Sequence, residues 1–257
     1  MNARSSDTPQ PTKISPHHSR SHHAGRPWEK FAQEDPYSYI LTSLHGGDTG
    51  EFWRSGERTV ESELIPLLQF YDVRLARALE VGCGIGRLVV PLSRHFEEVI
   101  GVDIAHNMVH RAASYAANNG LRNVSFRTIR GPVDLISERP CDGTCDFVYS
   151  LLVFQHIPDF FMIDGYLSVV AVLLRENGLA YLQFDTRPRT AAYRLKTLLP
   201  DFLLPRFWRR GIRRIRRTPD ELEYAMRSAG LEILGELGPH TAYHRYILRR
   251  ARRSETK

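Results

Sequence analysis

The residues with the clearest chemical potential lie in one short glycine-rich stretch, at Gly82, Gly84 and Gly86. Alternate glycines let the backbone bend sharply and leave no side chain between the chain and a ligand. The apolar residues before them predict a strand, and those after them predict a helix whose first N–H groups point at the ligand. A strand that enters a helix through such a turn is typical of the nucleotide-binding corner of an open α/β sheet.

The spacing of this turn bears on which nucleotide it binds. In the dinucleotide fingerprint G-x-G-x-x-G the third glycine allows close packing of helix on strand, and here Arg87 stands at that position. The pattern present is instead E-x-G-x-G-x-G, with Glu80 still in the strand. An NAD-dependent oxidoreductase is therefore disfavoured. Because a glycine-rich turn alone is a weak signal, its meaning depends on the residues that stand at fixed distances after it.

Three further polar residues could act at this corner. Asp103 ends the next apolar strand about 20 residues past the turn, where a carboxylate either accepts both hydroxyls of a ribose or caps the next helix. His156 lies beyond the fourth predicted strand and either acts as a base or holds the loop before Pro158. Arg87 either meets a carboxylate or forms a salt bridge on its own helix.

The elements that must position these residues alternate in type. Helices are predicted over residues 85–95, 105–118 and 159–175, between strands. Such alternation predicts βαβ units, a parallel sheet and right-handed crossovers. Later, Thr218 is expected to cap a helix that starts at Pro219. The strands are predicted at 77–82, 97–103, 123–129, 146–150, 179–184, 231–234 and 242–248.

Composition divides the chain into three parts. Residues 1–27 are rich in Ser, Pro and His and are expected to be disordered, because they bury too little apolar surface. Residues 28–71 are aromatic and apolar and predict a helical cap, interrupted near Pro66, which is either a lid over the corner or a packing extension. Residues 72–257 form the main domain, with an arginine-rich segment at 186–217 as a substrate cover.

Overall composition is that of a cytoplasmic protein. The chain has 257 residues, 42% of them hydrophobic, and a formal net charge of +6. Its three cysteines argue for a reducing compartment, and no cluster has the spacing of metal ligands. We find no apolar run long enough to span a membrane and no secretory signal. No pattern indicates an oligomeric state.

Four stretches resemble, in order and spacing, the motifs of class I S-adenosylmethionine-dependent methyltransferases of the bacterial small-molecule branch. They are residues 79–88, 99–104, 146–157 and 174–179, the last with a reduced Glu-Asn-Gly turn. The resemblance covers about residues 75–185, and the segment 51–57 is also similar to that branch. It implies a doubly wound, Rossmann-like sheet of seven strands, mostly parallel with the last strand antiparallel, and S-adenosylmethionine as the cofactor.

The resemblance also assigns roles within the turn. Gly82, Gly84 and Gly86, with Cys83 between them, would cradle the methionine part of the cofactor. Glu80 would fix this loop and, through water, the cofactor amine. These five residues are the core of the implied cofactor site.

Further cofactor contacts are implied at the ends of the second and fourth strands. Asp103 would hold the ribose and Ile104 would pack on one face of the adenine. Tyr149 and Ser150 would lie beside the methionine part and the sulfonium. The family often has an acid after the third strand for the adenine amine, but Arg130 stands here and offers donors only. The loop residue Asp134 or a backbone carbonyl could take that role.

The reaction implied is an in-line displacement, which mainly requires alignment in a dry site. The expected acceptor is an oxygen or nitrogen of a small molecule, and His156 is the candidate base. Substrate contacts are predicted at Trp53, Arg54, Arg87 and Arg187.

The arginines of segment 186–217 leave three interpretations open: an acidic small substrate, an RNA or anionic membrane surface, or a solvated helical face. An RNA methyltransferase is the main alternative, yet the Asn/Asp-Pro-Pro-Tyr/Phe motif of many base-methylating enzymes is absent and Tyr149–Leu152 stands in its place. No RNA-binding module is recognisable, so nucleic acid is not an expected partner. The other alternative is a catalytically silent protein that docks to anionic surfaces.

Overall fold

The computed structural model of the protein describes residues 25–40, 48–137, 145–205 and 212–251. The predicted tail therefore lies outside the described residues as far as residue 24. For residues 25–27 that prediction is wrong, because the first helix begins at Gly25. The helix forms because Phe31 and Ala32 bury one of its faces against the protein.

The fold is a single sheet with helices on both faces. Its seven strands have the spatial order 3-2-1-4-5-7-6. They are β1 Arg77–Val81, β2 Glu98–Asp103, β3 Val124–Thr128, β4 Cys145–Ser150, β5 Leu174–Phe184, β6 Leu231–Leu237 and β7 His244–Arg250. Neighbouring strands run parallel, except that β7 is antiparallel to both β5 and β6. The predicted sheet, with its antiparallel last strand, is confirmed.

The α-helices of the described residues flank this sheet and cover its edge. They are α1 Gly25–Glu34, α2 Pro36–Ile40, α3 Thr49–Thr59, α4 Ile65–Phe70, α5 Val89–Leu92, α6 His106–Asn118, α7 Pro132–Ser137, α8 Phe160–Leu173, α9 Ala191–Leu198 and α10 Pro219–Ser228. The predicted start of α10 is confirmed by a capping box between Thr218 and Glu221, with Pro219 in the first turn.

Most element ends lie within three residues of the expectation, and three features differ more clearly. The helix after the glycine turn is only the single turn of α5. β5 begins at Leu174 rather than at Leu179, because Leu174 already pairs with Cys145 before the register shifts. The helical cap is not interrupted at Pro66, because a π-helical turn over Val60–Leu64 joins α3 to α4 and places the proline in the first turn of α4.

Two apolar cores lie on opposite faces of the sheet, and a third cluster attaches the cap. In the third cluster Phe52 of α3 and Ala32 of α1 pack with Ile85 of the glycine turn and Met108 of α6. The cap thus packs directly on the corner that holds the turn, while its status as a separate unit stays a prediction. Within the described residues, every helix falls short of the length and apolar character that crossing a membrane requires.

Candidate active site

The turn after β1 has the left-handed geometry that its glycines allow. The φ angle is +79° at Gly82, +55° at Gly84 and +88° at Gly86. Residues with a side chain rarely adopt such angles. The N–H groups of Gly82 and Cys83 both donate to the Val102 carbonyl, at 2.7 and 3.0 Å. The end of β2 therefore holds the turn in place.

Asp103 connects this turn to the next helix. Its Oδ2 accepts from the Gly84 N–H at 2.8 Å and its Oδ1 from the Ala105 N–H at 2.9 Å. Burial raises the pKa of Asp103, and these backbone N–H groups oppose the shift. The Asp103 carboxylate therefore orders the turn and the residue before α6, and its contact with a ribose stays a prediction. Ile104 packs against the largest core cluster, and its contact with an adenine stays a prediction.

Glu80 and its neighbours on β4 form a buried polar group below the turn. Glu80 is 3% exposed, and the Tyr149 hydroxyl donates to its Oε2 at 3.1 Å. Ser150 faces the other side of the sheet and donates to the Val81 carbonyl at 2.8 Å. Burial raises the pKa of Glu80 to about 8, against the opposing charge of Arg87 and the bond from Tyr149. Both β4 side chains are engaged within the protein, so their contacts with a cofactor stay predictions.

A pH-dependent stability results from the burial of Glu80. The unfolded chain loses this proton near the ordinary pKa of 4.5, whereas the folded protein keeps it up to about pH 8. Between these values the folded state binds more protons, so the free energy of unfolding falls as pH rises. We expect Glu80→Gln to remove a slope of at most about 1.4 kcal/mol per pH unit. Urea unfolding of both proteins without cofactor, at several values from pH 5.5 to 7.5, measures it; parallel curves would contradict the assignment.

Arg87 lies under α3 rather than at an open surface. It is 6% exposed, and its Nη1 lies 3.4 Å from Ser55 Oγ and 3.5 Å from Thr59 Oγ1. Burial lowers the pKa of Arg87, while the charge of Glu80 opposes this shift. When Glu80 is ionised, its charge and that of Arg87 stabilise each other below the turn. This geometry gives no support to the predicted contact between Arg87 and a substrate.

Gly56 is a site residue that sequence reasoning missed. A Cβ at this position would lie 2.1 Å from the backbone oxygen of Arg87. Helix α3 can therefore approach the turn only because residue 56 has no side chain. The single glycine inside a predicted helix was the available signal.

The loop after β4 joins the turn to His156. A Cβ on Gly82 would lie 2.3 Å from Val153 Cγ2, so the loop packs on the turn itself. Leu152 adopts a φ of +65°, a strained angle for a side-chain-bearing residue and a second feature that the sequence did not reveal. The loop ends in a 3₁₀ turn over Phe154–His156. The candidate base is therefore only a few residues from the β4 strand end that borders the glycine turn.

The surroundings of His156 keep its ring uncharged. Its ring meets the edge of Trp28 from α1, with centroids 5.2 Å apart. Burial lowers its pKa to about 4, with a further contribution from the positive charge of Arg214, and nearby backbone groups offset part of the shift. The amide nitrogen of Gln155 lies 3.2 Å from Nε2. If this amide donates, Nε2 carries the lone pair and the proton is on Nδ1, which is buried without a hydrogen-bond partner among the described residues.

The remaining predicted substrate residues lie in different places. Trp53 stacks on Tyr115 of α6 with centroids 4.0 Å apart, which ties α3 to α6. Arg54 is exposed and donates to Glu51 on its own helix at 3.1 Å. Neither residue is brought to His156, so their substrate roles rest on the sequence alone.

Arg187 is close to the site but already paired. Its Nε and Nη2 donate to the two carboxylate oxygens of the fully buried Asp185, at 3.0 and 2.6 Å. In the loop after β3, the Asp134 carboxylate accepts from the backbone N–H of Arg130 at 2.7 Å. Asp134 therefore orders the loop in which it was expected to replace the missing acid.

Known proteins match this chain over most of the fold. A family model described as a methyltransferase domain matches residues 52–236. The ubiquinone biosynthesis O-methyltransferase of Brucella anthropi is 28% identical over 164 residues, which cover 63% of this chain and 62% of the relative. That of Sinorhizobium fredii is 27% identical over the same length. The chain thus spans somewhat less than two thirds of the curated relatives it matches.

Solved structures share the fold at low identity. An S-adenosylmethionine-dependent methyltransferase from Clostridium acetobutylicum superposes with a TM-score of 0.61 at 15% identity, covering 88% of this chain and 100% of that one. A magnesium protoporphyrin IX methyltransferase from Synechocystis, solved with bound S-adenosylmethionine, gives a TM-score of 0.59 at 18% identity, covering 89% and 97%.

Proposed function

This chain belongs to the class I S-adenosylmethionine-dependent methyltransferases, and on that premise we propose that it methylates an oxygen or nitrogen of a small acidic molecule. The names of the curated relatives favour oxygen. The observation that carries the proposal is the loop after β4, which packs on Gly82 through Val153 and carries the uncharged His156. One rigid segment thereby links the cofactor turn to a group that can receive a proton.

The cofactor of this family is S-adenosylmethionine, and the residues present fit it. An ionised carboxylate accepts up to about four hydrogen bonds, so Asp103 retains capacity for the hydroxyls of a ribose beyond its bonds to Gly84 and Ala105. The turn offers backbone without side chains at three positions. Ile40 of α2 lies over Gly84, where a Cβ would be 2.8 Å from its Cδ1, so the cap covers this corner.

The mechanism requires little from the protein beyond alignment and proton removal. The bound cofactor brings a methyl group on a positively charged sulfur, which is an activated leaving group. The buried amide of Gln155 lies 3.2 Å from Nε2 of His156, so an acceptor hydroxyl would have to displace this amide to reach Nε2. A neutral imidazole can then receive the hydroxyl proton as the new bond forms, because a protonated ether is a much stronger acid than imidazolium.

Substitution of His156 tests this role. We expect His156→Gln to lower kcat about a hundredfold, at the low end of general-base effects because a base with a pKa near 4 is weak. Transfer of labelled methyl from S-adenosylmethionine to a pool of small phenols and acids measures the rate. Binding of S-adenosylhomocysteine, measured by calorimetry, should stay unchanged in the variant.

The pH profile gives a second readout on the same pair of proteins. Since His156 is unprotonated well above its pKa, its contribution to kcat should be constant from pH 6 to 8. A wild-type rate in the variant, or a loss of cofactor binding that explains the lower rate, would contradict a role as base.

An RNA substrate is a weaker alternative in this fold. Arg216 donates to the Pro188 carbonyl, and Arg217 donates to the carbonyls of Ile157 and Pro158. Arginines that hold the protein together are less available to phosphates than a solvated basic face. Two results together would remove this alternative: methyl transfer to a small acceptor, and an affinity for RNA that stays the same as the salt concentration rises. A cytoplasmic location accords with such an enzyme and remains a prediction.

A further inference from the structure

The segment 212–217 is fixed beside the candidate base. The N–H of Ile215 donates to the carbonyl of Gln155 at 2.6 Å, and the N–H of Arg217 donates to the carbonyl of Asp185 at 2.8 Å. The segment therefore lies between the loop after β4 and the end of β5. Because Ile215 is bonded to Gln155, the segment runs beside the 3₁₀ turn that carries His156, and the positive charge of the preceding residue, Arg214, acts on the His156 ring.

Arg214 differs from the other arginines of this segment. Arg213 donates to the Thr197 carbonyl, and Arg216 and Arg217 donate to the carbonyls already named. Among the described residues of 212–217, Arg214 is the arginine whose guanidinium contacts neither a carboxylate nor a carbonyl. Its Nη2 donates to the Tyr243 hydroxyl at 3.2 Å, and its guanidinium lies 4.8 Å from the centre of that ring. Tyr243 thus orients the guanidinium of Arg214, whose charge has no counterion in the described part of the protein.

The Tyr243 ring that Arg214 contacts is held near the end of β5. Tyr243 lies in the connection between β6 and β7, and the N–H of Thr186 donates to the carbonyl of Thr241 in that connection at 2.9 Å. Tyr243 is 46% exposed and Arg214 is half-buried, so the two side chains border open space. An arginine stacked on a ring keeps its other N–H groups in one plane, which suits a carboxylate.

We propose that Arg214, held by Tyr243, binds the carboxylate of the methyl acceptor and so orients its hydroxyl toward His156. This inference rests on the proposed function and names the residue that would select an acidic substrate. It replaces the expectation placed on Arg187, whose charge is already neutralised by Asp185. The fork of an arginine pairs with both oxygens of a carboxylate, so it fixes the direction of the acid as well as its affinity.

The test uses the full chain loaded with S-adenosylhomocysteine and two pairs of probes. The acids are para-hydroxybenzoate and para-coumarate, whose carboxylates lie at different distances from the hydroxyl, and each is compared with its methyl ester. Calorimetry measures the dissociation constants. We expect at least one acid to bind about tenfold to a hundredfold more tightly than its ester, as for a charge-assisted pair.

Three variants separate the pairing of Arg214 with the carboxylate from a general effect of charge. Arg214→Gln should lower the affinity for that acid about tenfold or more and leave the ester unchanged. Arg194→Gln, at an exposed position of α9, removes the same charge and should change neither. Tyr243→Phe keeps the ring and removes the hydroxyl, so it should give a smaller loss than Arg214→Gln.

Several results would overturn the inference. They are equal affinity for acid and ester, no saturable binding of either acid, an acid preference that survives in Arg214→Gln, and an equal loss in Arg194→Gln. Failure of the proposed function looks different, because the wild-type protein would then bind no S-adenosylhomocysteine or transfer no methyl group to any acceptor. Methyl transfer to acidic acceptors that Arg214→Gln does not change would leave the proposed function standing and would contradict the carboxylate site alone.

Discussion

Asp103→Ala is expected to weaken S-adenosylhomocysteine binding about a thousandfold, which combines two losses. The ribose hydroxyls lose a charged acceptor, at roughly 1.5–3 kcal/mol for each hydrogen bond. The turn also loses its anchor, because the two carboxylate oxygens accept from Gly84 and Ala105 at 2.8 and 2.9 Å. Calorimetry on the purified variant measures the change.

The matched control is Asp103→Asn, which keeps the shape and one acceptor oxygen. It should lie between the wild type and the alanine variant, because one backbone bond and one ribose bond can persist. Far-ultraviolet circular dichroism checks that both variants fold. A folded alanine variant with a dissociation constant within a few-fold of the wild type would show that Asp103 only orders the turn and the backbone of Ala105 before α6.

Gly56→Ala is expected to destabilise the protein by about 3 kcal/mol, as for severe overpacking of a core. Helix propensity alone predicts the opposite sign, since alanine normally stabilises a helix interior by about 1 kcal/mol relative to glycine. Packing decides here, because the new Cβ would lie 2.1 Å from the Arg87 backbone oxygen. That atom belongs to the turn and cannot move aside as a flexible side chain would. The free energy of unfolding in urea measures the effect.

Gly50→Ala in the same helix is the control. Its Cβ would meet the end of the Arg54 side chain at 3.0 Å, and this side chain is exposed and can rotate away. We expect a change within about 0.5 kcal/mol, as for ordinary surface substitutions. Equal effects at the two positions would mean that α3 does not depend on close approach to the turn.

The sequence by itself determined the glycine-rich corner and the sheet. Each part of this corner is set by contiguous residues, because it depends on local backbone angles and short-range hydrogen bonds. The parts are a strand, three alternate glycines and the acid that ends the next strand. The alternation of strands and helices then limits the topology, since parallel strands need right-handed crossovers. For the same reason the α10 start at Thr218 was predictable from its capping residues.

Only the tertiary structure decided what the polar residues outside this corner contact. Arg87 was ambiguous because its partner helix lies some 30 positions earlier in the chain, and the contact with Ser55 depends on a glycine whose role no periodicity reveals. Arg187 pairs with Asp185, only two residues away. The position of Arg214, whose charge has no counterion among the described residues, depends instead on Tyr243, which meets it only when β7 and the loop after β4 assemble. A charge run in the sequence gives the number of arginines, but their partners are fixed by packing between distant segments, and that packing selects which of them is left for a ligand.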